Sequence, residues 1–148
     1  MEDVPDALPG ALPGALPSPG DIVWCHFPNA NPKDKTMKER PALVLSVMDE
    51  TDPPRLRVAY GTTQKPRPVG RGQFLISRPA HLLQAGLADE TRFSLTNVVV
   101  LDYTEHWFYP APLAGGLRAA TPKMGVLPAE CMKDLERAAG EARLIPKK

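Results

Sequence analysis

Pro41-Ala42-Leu43-Val44-Leu45-Ser46-Val47, a turn cluster from Asp49 to Pro54, and Arg55-Leu56-Arg57-Val58-Ala59-Tyr60 follow one another with only Met48 between the first two. The first run is almost continuously apolar and short, which reads as a largely buried strand. The second alternates polar and apolar residues, the period-two signature of a half-exposed strand. Upstream, Ile22-Val23-Trp24-Cys25-His26-Phe27 is β-branched and aromatic and stops at Pro28, so it predicts a strand that opens the folded region near Gly20. Downstream, Gln73-Phe74-Leu75-Ile76-Ser77 predicts a fourth strand. Thr96 to Asp102, built around Val98-Val99-Val100-Leu101, predicts the most apolar and most central one. Near the end, Leu127-Pro128-Ala129-Glu130 predicts a helix start with proline in its first turn. Met132, Leu135 and Ala139 would share its apolar face, and Gly140 would be its C-cap. Short strands joined by Pro/Gly loops and one late helix predict a mainly β, α+β fold, a small curled sheet or barrel capped by the helix. Nothing in the pattern suggests βαβ units.

The 148 residues predict one domain. Residues 7–18 read ALPGALPGALPS, and proline at that spacing fixes φ and removes donors too often for helix or strand. Residues 1–19 are therefore expected to be a disordered Pro-rich leader, and residues 20–148 the folded domain. The net charge is +1, but residues 1–20 carry three acids and no Lys or Arg, so the remainder stands at +4. A near-neutral total can hide a local basic face. Cys25 and Cys131 have no paired spacing and read as idle thiols of a reducing compartment. No apolar run is long enough to span a membrane, and no secretory signal is visible, so a cytoplasmic protein with no membrane partner is expected.

The sequence lacks a Gly-rich phosphate loop, a nucleophile elbow and metal-ligand spacing among His26, His81 and His106. The expectation is an activity without cofactor or metal. What remains is polar chemistry at strand ends. Arg40 directly precedes a buried strand and could grip a phosphate through parallel hydrogen bonds; its bland alternative is an ion pair with Glu39 or Asp49. Thr62-Thr63-Gln64 leaves the third strand after Gly61 and could bond phosphate oxygens or a base edge, or be a polar turn. Lys33, Lys35 and Lys38 in one loop and Lys65, Arg67 and Arg71 in another could form a basic rim for a single strand, or a solvated surface.

Gly20-Asp21-Ile22-Val23-Trp24, Glu39-Arg40-Pro41-Ala42-Leu43-Val44-Leu45-Ser46 and Gly61-Thr62-Thr63-Gln64, in this order and spacing, resemble three signature blocks of the MazF/PemK family of toxin endoribonucleases. The strand ending at Asp102 and Lys123-Met124-Gly125-Val126-Leu127-Pro128 are similar to that family's C-terminal half. The resemblance implies an SH3-like small β-barrel of the PemK/CcdB type that forms a homodimer, holds single-stranded RNA along a groove, and is neutralised by a cognate antitoxin. It implies metal-independent transesterification, in which the ribose 2′-OH attacks its own 3′-phosphate and leaves a cyclic phosphate. Arg40 would stabilise the charged phosphorane, Thr62 would orient the phosphate or the 2′-OH, and Asp102 would be a candidate base with His106 as fallback. Lys35, Lys38, Thr63, Gln64, Lys65 and Arg67 would contact RNA. Two positions depart from the pattern: Val100 stands where some members have an arginine, and the loop after Phe27 carries lysines where some have a histidine. The base therefore stays open. The competing reading is a barrel of this kind that has lost catalysis and binds protein or nucleic acid. A gyrase poison on a related barrel is a third.

Overall fold

Neighbouring residues of the first two strands are buried in opposite directions, and this sets the architecture. Ile22 and Leu43 enter one apolar cluster, while Val23, Ala42 and Val44 enter another. Because side chains alternate along a strand, a run with both parities apolar must be covered on both faces. The computed structural model describes residues 15–27 and 38–144. The strands are β1 (Asp21–Phe27), β2 (Lys38–Met48), β3 (Arg55–Thr62), β4 (Gln73–Ile76), β5 (Thr91–Asp102) and β6 (Lys123–Val126). Two helices are added, α1 (Pro79–Ala85) and α2 (Met132–Leu144). All six strands form one antiparallel sheet in the order β4-β5-β3-β2-β1-β6. It is a curled half-barrel with a C-terminal helix, the fold expected from the alternating short strands.

One cluster joins Ile22, Leu43, Phe74, Ile76 and Phe93 to Ala85 of α1 and to Cys131 and Ala138 at and within α2. On the opposite face Val23, Cys25, Ala42, Val44, Leu56, Val58 and Leu101 are covered by Tyr103 and Phe108 from the segment after β5, with Leu16 packed beside them. Burial, followed by the charge of Asp21, pushes the Tyr103 phenol up to about 12. Burial also raises the Cys25 thiol, which is fully enclosed.

The structure corrects four readings. β5 is second from the edge, and β3 and β2 are central; Val100 is exposed, so an apolar run did not mark a central position. β5 also begins at Thr91, five residues earlier than the apolar run indicated. The C-terminal helix begins at Met132, after a 3-10 turn at Ala129–Cys131, and continues past Gly140 to Leu144. Its last turn is held by Glu141, which accepts the Gly72 N–H at 2.8 Å and an Arg137 bond at 2.9 Å. These bonds, the Gly72 one foremost, hold the Glu141 carboxyl below the usual range. The buried face of this helix carries Leu135 and Ala138, and Met132 points outward. Residues 1–14 of the Pro-rich leader lie outside the described residues, as do Lys33 and Lys35.

Helix α1 was not anticipated, although Pro79 at its first turn and Gly86 just past its end are a start and stop signal. Gly86 has φ 72°, and a Cβ there would stand 2.1 Å from the Met124 carbonyl oxygen. Gly86→Ala is therefore expected to destabilise by more than about 1 kcal/mol and lower the melting temperature by at least about 3 °C. A calorimetric scan with an unchanged transition would show that α1 does not pack on β6 in this way. The Cys25 thiol should not react with Ellman's reagent at pH 8 until the protein unfolds, because it is fully enclosed. Prompt labelling of Cys25 would contradict the two-sided core.

Candidate active site

The register of β2 and β3 pairs Ala42 with Tyr60. Two residues further along each strand, on the same face, stand Arg40 and Thr62. Their side chains meet: Arg40 Nη1 donates to Thr62 Oγ1 at 3.1 Å. The Arg40 guanidinium also lies 5.7 Å from the centroid of the Tyr60 ring, a cation–π contact that turns the fork toward β3. The bland role foreseen for Arg40 is not what the strand allows. Glu39 is on the opposite face, where it accepts the Trp24 indole N–H and lies 3.5 Å from His26 Nε2 and 3.8 Å from Arg118 Nη1. Among the described residues no carboxylate neutralises Arg40. It is a partly buried cation held by neutral partners.

Thr62 Oγ1 accepts a second bond from the Gln64 backbone N–H at 3.1 Å. With both lone pairs engaged, one of them by a cation, the hydroxyl proton is directed away from the protein donors. It is left to donate to an acceptor other than these two partners. The close passage of β3 over β5 depends on Gly61, where a Cβ would meet Thr91 Cγ2 at 2.7 Å and Phe93 Cε1 at 2.9 Å.

Thr62 pairs with Arg92 of β5. The Arg92 Nη1 donates to the Lys65 carbonyl at 3.0 Å and to that of Pro68 at 3.4 Å, which pins the loop after β3. Lys65 adopts φ 48°, a conformation rare outside glycine. Just above this row the ladder breaks. Four residues of β5, Ser94 to Asn97, face the single residue Tyr60 of β3. Such a bulge bends a strand away from its neighbour. The result is a hollow of about 270 Å³ lined by Tyr60, Thr62, Gln73, Arg92, Ser94, Thr96 and Asn97.

The structure thus brings Arg40 and Thr62 together, with Thr63, Gln64 and Lys65 leaving the same strand end as exposed residues. Asp102 is not brought there. It pairs with Arg55, at the far end of β3 from Thr62, and bonds that side chain at 3.0 Å. Both partners are about half exposed, so this is a surface pair worth about 0–1 kcal/mol. His106, the fallback, follows β5 at that same end and packs edge-on against Trp107. Arg67 is engaged with Glu90 at 3.1 Å. The backbone of Lys38 opens β2; its side chain, and all of Lys35, lie outside the described residues. Arg92, Asn97, Ser94 and Thr96 were missed by sequence reasoning. The signal was present, since Arg92, Ser94 and Thr96 alternate with Phe93 and Leu95 at period two, directly upstream of the apolar run.

A second hollow of about 320 Å³, on the helix side, holds Cys131 with its Sγ 3.6 Å from His81 Nδ1. Burial, then Asp134 and Glu130, push that thiol up, which suits a neutral packing group. Among the described residues no cluster of His, Cys, Asp or Glu is arranged to hold a metal ion, and no helix is long and apolar enough to cross a membrane.

No family model matches the sequence, and no curated protein matches it. The fold does have solved counterparts. An endoribonuclease from a mycobacterial species, solved with its cognate antitoxin, aligns with a TM-score of 0.54 and 15% identity over 90% of this chain and 100% of its own. The MazE–MazF structure from Deinococcus radiodurans aligns with a TM-score of 0.52 and 20% identity, over 87% and 94%. At these identities the shared property is the fold.

Because Arg40 and Thr62 sit at strand ends outside both apolar clusters, Arg40→Ala and Thr62→Ala should each move the melting temperature by less than about 4 °C. A larger loss in thermal unfolding of either variant would assign the pair a structural role.

Proposed function

We propose that the chain is a toxin-type endoribonuclease that cleaves single-stranded RNA by metal-independent transesterification. The observation that carries this reading is the contact between Arg40 and Thr62: a guanidinium with no carboxylate partner among the described residues, bonded to a hydroxyl that lines a hollow. The fold of the two antitoxin-bound neighbours agrees with it, as do the sequence blocks that contain both residues. In this reaction the 2′-oxygen attacks the adjacent phosphorus, the P–O5′ bond breaks, and a 2′,3′-cyclic phosphate and a 5′-hydroxyl result. The nucleophile is already tethered to the electrophile, so alignment and charge stabilisation account for much of the catalysis.

Arg40 would hold a non-bridging phosphate oxygen and stabilise the charge that grows on it. A guanidinium offers a fixed fork of N–H donors and a delocalised charge, so its role is electrostatic. Thr62 would donate its proton to a second oxygen and fix the phosphate against the guanidinium. Lys65, Thr63 and Gln64 at the same strand end would track the backbone, with Lys35 and Lys38 contributed from the loop after β1. The sequence resemblance implies that a second copy of the chain would complete the groove, and the mycobacterial complex, an endoribonuclease with its cognate antitoxin, supports an antitoxin as partner.

One observation favours a second reading. Asp102 is separated from the pair by almost the length of β3, and among the described residues no carboxylate or imidazole reaches Arg40 or Thr62. A binding module without catalysis would show the same arrangement.

Incubating the purified protein with single-stranded RNA in EDTA separates the two. The expected result is fragments ending in cyclic phosphate, lost at least about 10²-fold in Arg40→Ala and Thr62→Ala. Asp102→Asn should retain activity within a few-fold, since its partner is Arg55. Intact RNA in the wild-type reaction, with retained binding, would establish the module instead.

A further inference from the structure

We propose that the hollow opened by the β5 bulge is a nucleobase-reading pocket, in which Asn97 and Gln73 select the base beside the cleaved phosphate. The proposal rests on the nuclease reading and specifies its substrate as a single strand with one base swung out. Thr62 is both a member of the catalytic pair and a wall of this hollow, so a nucleotide whose phosphate lies on Arg40 and Thr62 has its base at the entrance. A volume of about 270 Å³ is at the small end of ligand sites, which suits one nucleotide unit and no longer stretch of strand.

The lining is chemically suited to a base edge. It contains two amides, three hydroxyl-bearing residues beside Thr62, one guanidinium and no carboxylate. Neutral donors and acceptors read the Watson–Crick edge of an unstacked base, and the lack of negative charge spares the phosphates on either side. The existing hydrogen bonds orient the two amides. Asn97 Nδ2 donates to Tyr60 Oη at 3.1 Å, so its Oδ1 is presented as an acceptor. Gln73 Oε1 accepts the Gly70 N–H at 2.7 Å, so its Nε2 is presented as a donor. One acceptor and one donor in the same hollow present a pattern that the four bases satisfy differently.

Tyr60 links this reading to the chemistry. Its hydroxyl holds Asn97, and its ring carries the Arg40 guanidinium. A base that engages Asn97 thereby steadies Tyr60, and with it the cation that faces the phosphate. Asn97 and Gln73 are specificity-determining residues in this account; Arg40 and Thr62 perform the catalysis.

The test uses the full-length, ¹⁵N-labelled protein and four 2′-fluoro homotrinucleotides, one for each base, which cannot be cleaved. One or two of the four should shift the side-chain amide signals of Asn97 and Gln73. The preferred trinucleotide should bind Asn97→Ala about tenfold more weakly than wild type. Asn97 is exposed, so its removal leaves the fold intact. Equal shifts from all four, no shift from any, or wild-type affinity in Asn97→Ala would overturn the proposal. If the wild type cuts RNA while the trinucleotides give any of those results, the pocket assignment falls and the nuclease reading stands. If RNA stays intact while one trinucleotide shifts Asn97 selectively, the pocket stands and the nuclease reading falls.

Discussion

The antiparallel register between β2 and β3 is the constraint on which the rest depends. With Ala42 opposite Tyr60, Arg40 and Thr62 come within hydrogen-bond distance where β2 begins and β3 ends. A slip of one residue would send Arg40 to the other face and exchange the side chains that β2 contributes to the two apolar clusters. The register is thus secured by the two-sided core, by Val44, Leu56 and Val58 on one face and Leu43 on the other. Core packing and site geometry are consequences of the same pairing.

Strand parity then sorts the charges. Glu39 and Arg40 are adjacent in sequence and could neutralise one another in a loop. In β2 they point to opposite faces. Glu39 is taken up by Trp24, His26 and Arg118, and Arg40 is left to Thr62 and Tyr60. Among the described residues Arg40 is a cation with no carboxylate partner, beside neutral hydrogen-bonding groups, an arrangement that suits the proposed role in holding an anion. The irregular stretch of β5 adds room beside it. A continuous ladder between β3 and β5 would have closed the space that Ser94 to Asn97 open.

Much of this was legible in the sequence, for physical reasons that differ by element. Period-two alternation identified β3, and continuous apolar runs identified β1 and β2, because burial pattern follows side-chain parity directly. The Arg40 and Thr62 blocks were legible because each lies at the end of a strand that could be recognised. What misled was an apolar run taken as a mark of centrality. Val98 to Val100 belong to a strand one place from the edge, where β-branched residues suit the pleat even when half exposed. Asp102 was carried along with that strand, and only the pairing of Arg55 with Asp102 reveals which end it occupies. The bulge, and with it the pocket, was invisible because it is a mismatch in length between two strands distant in the chain. Gly140 looked like a helix stop, but the bonds from Glu141 to Gly72 and Arg137 carry the helix past it.

The central claim is that Arg40 and Thr62 act as one unit on a phosphate. A double-mutant cycle on kcat/KM for a single-stranded RNA tests it most directly. If the two groups share one task, Arg40→Ala/Thr62→Ala should lose scarcely more than the worse single variant. Losses that multiply, each substitution costing its full factor in the presence of the other, would mean the two residues work independently and would contradict the account.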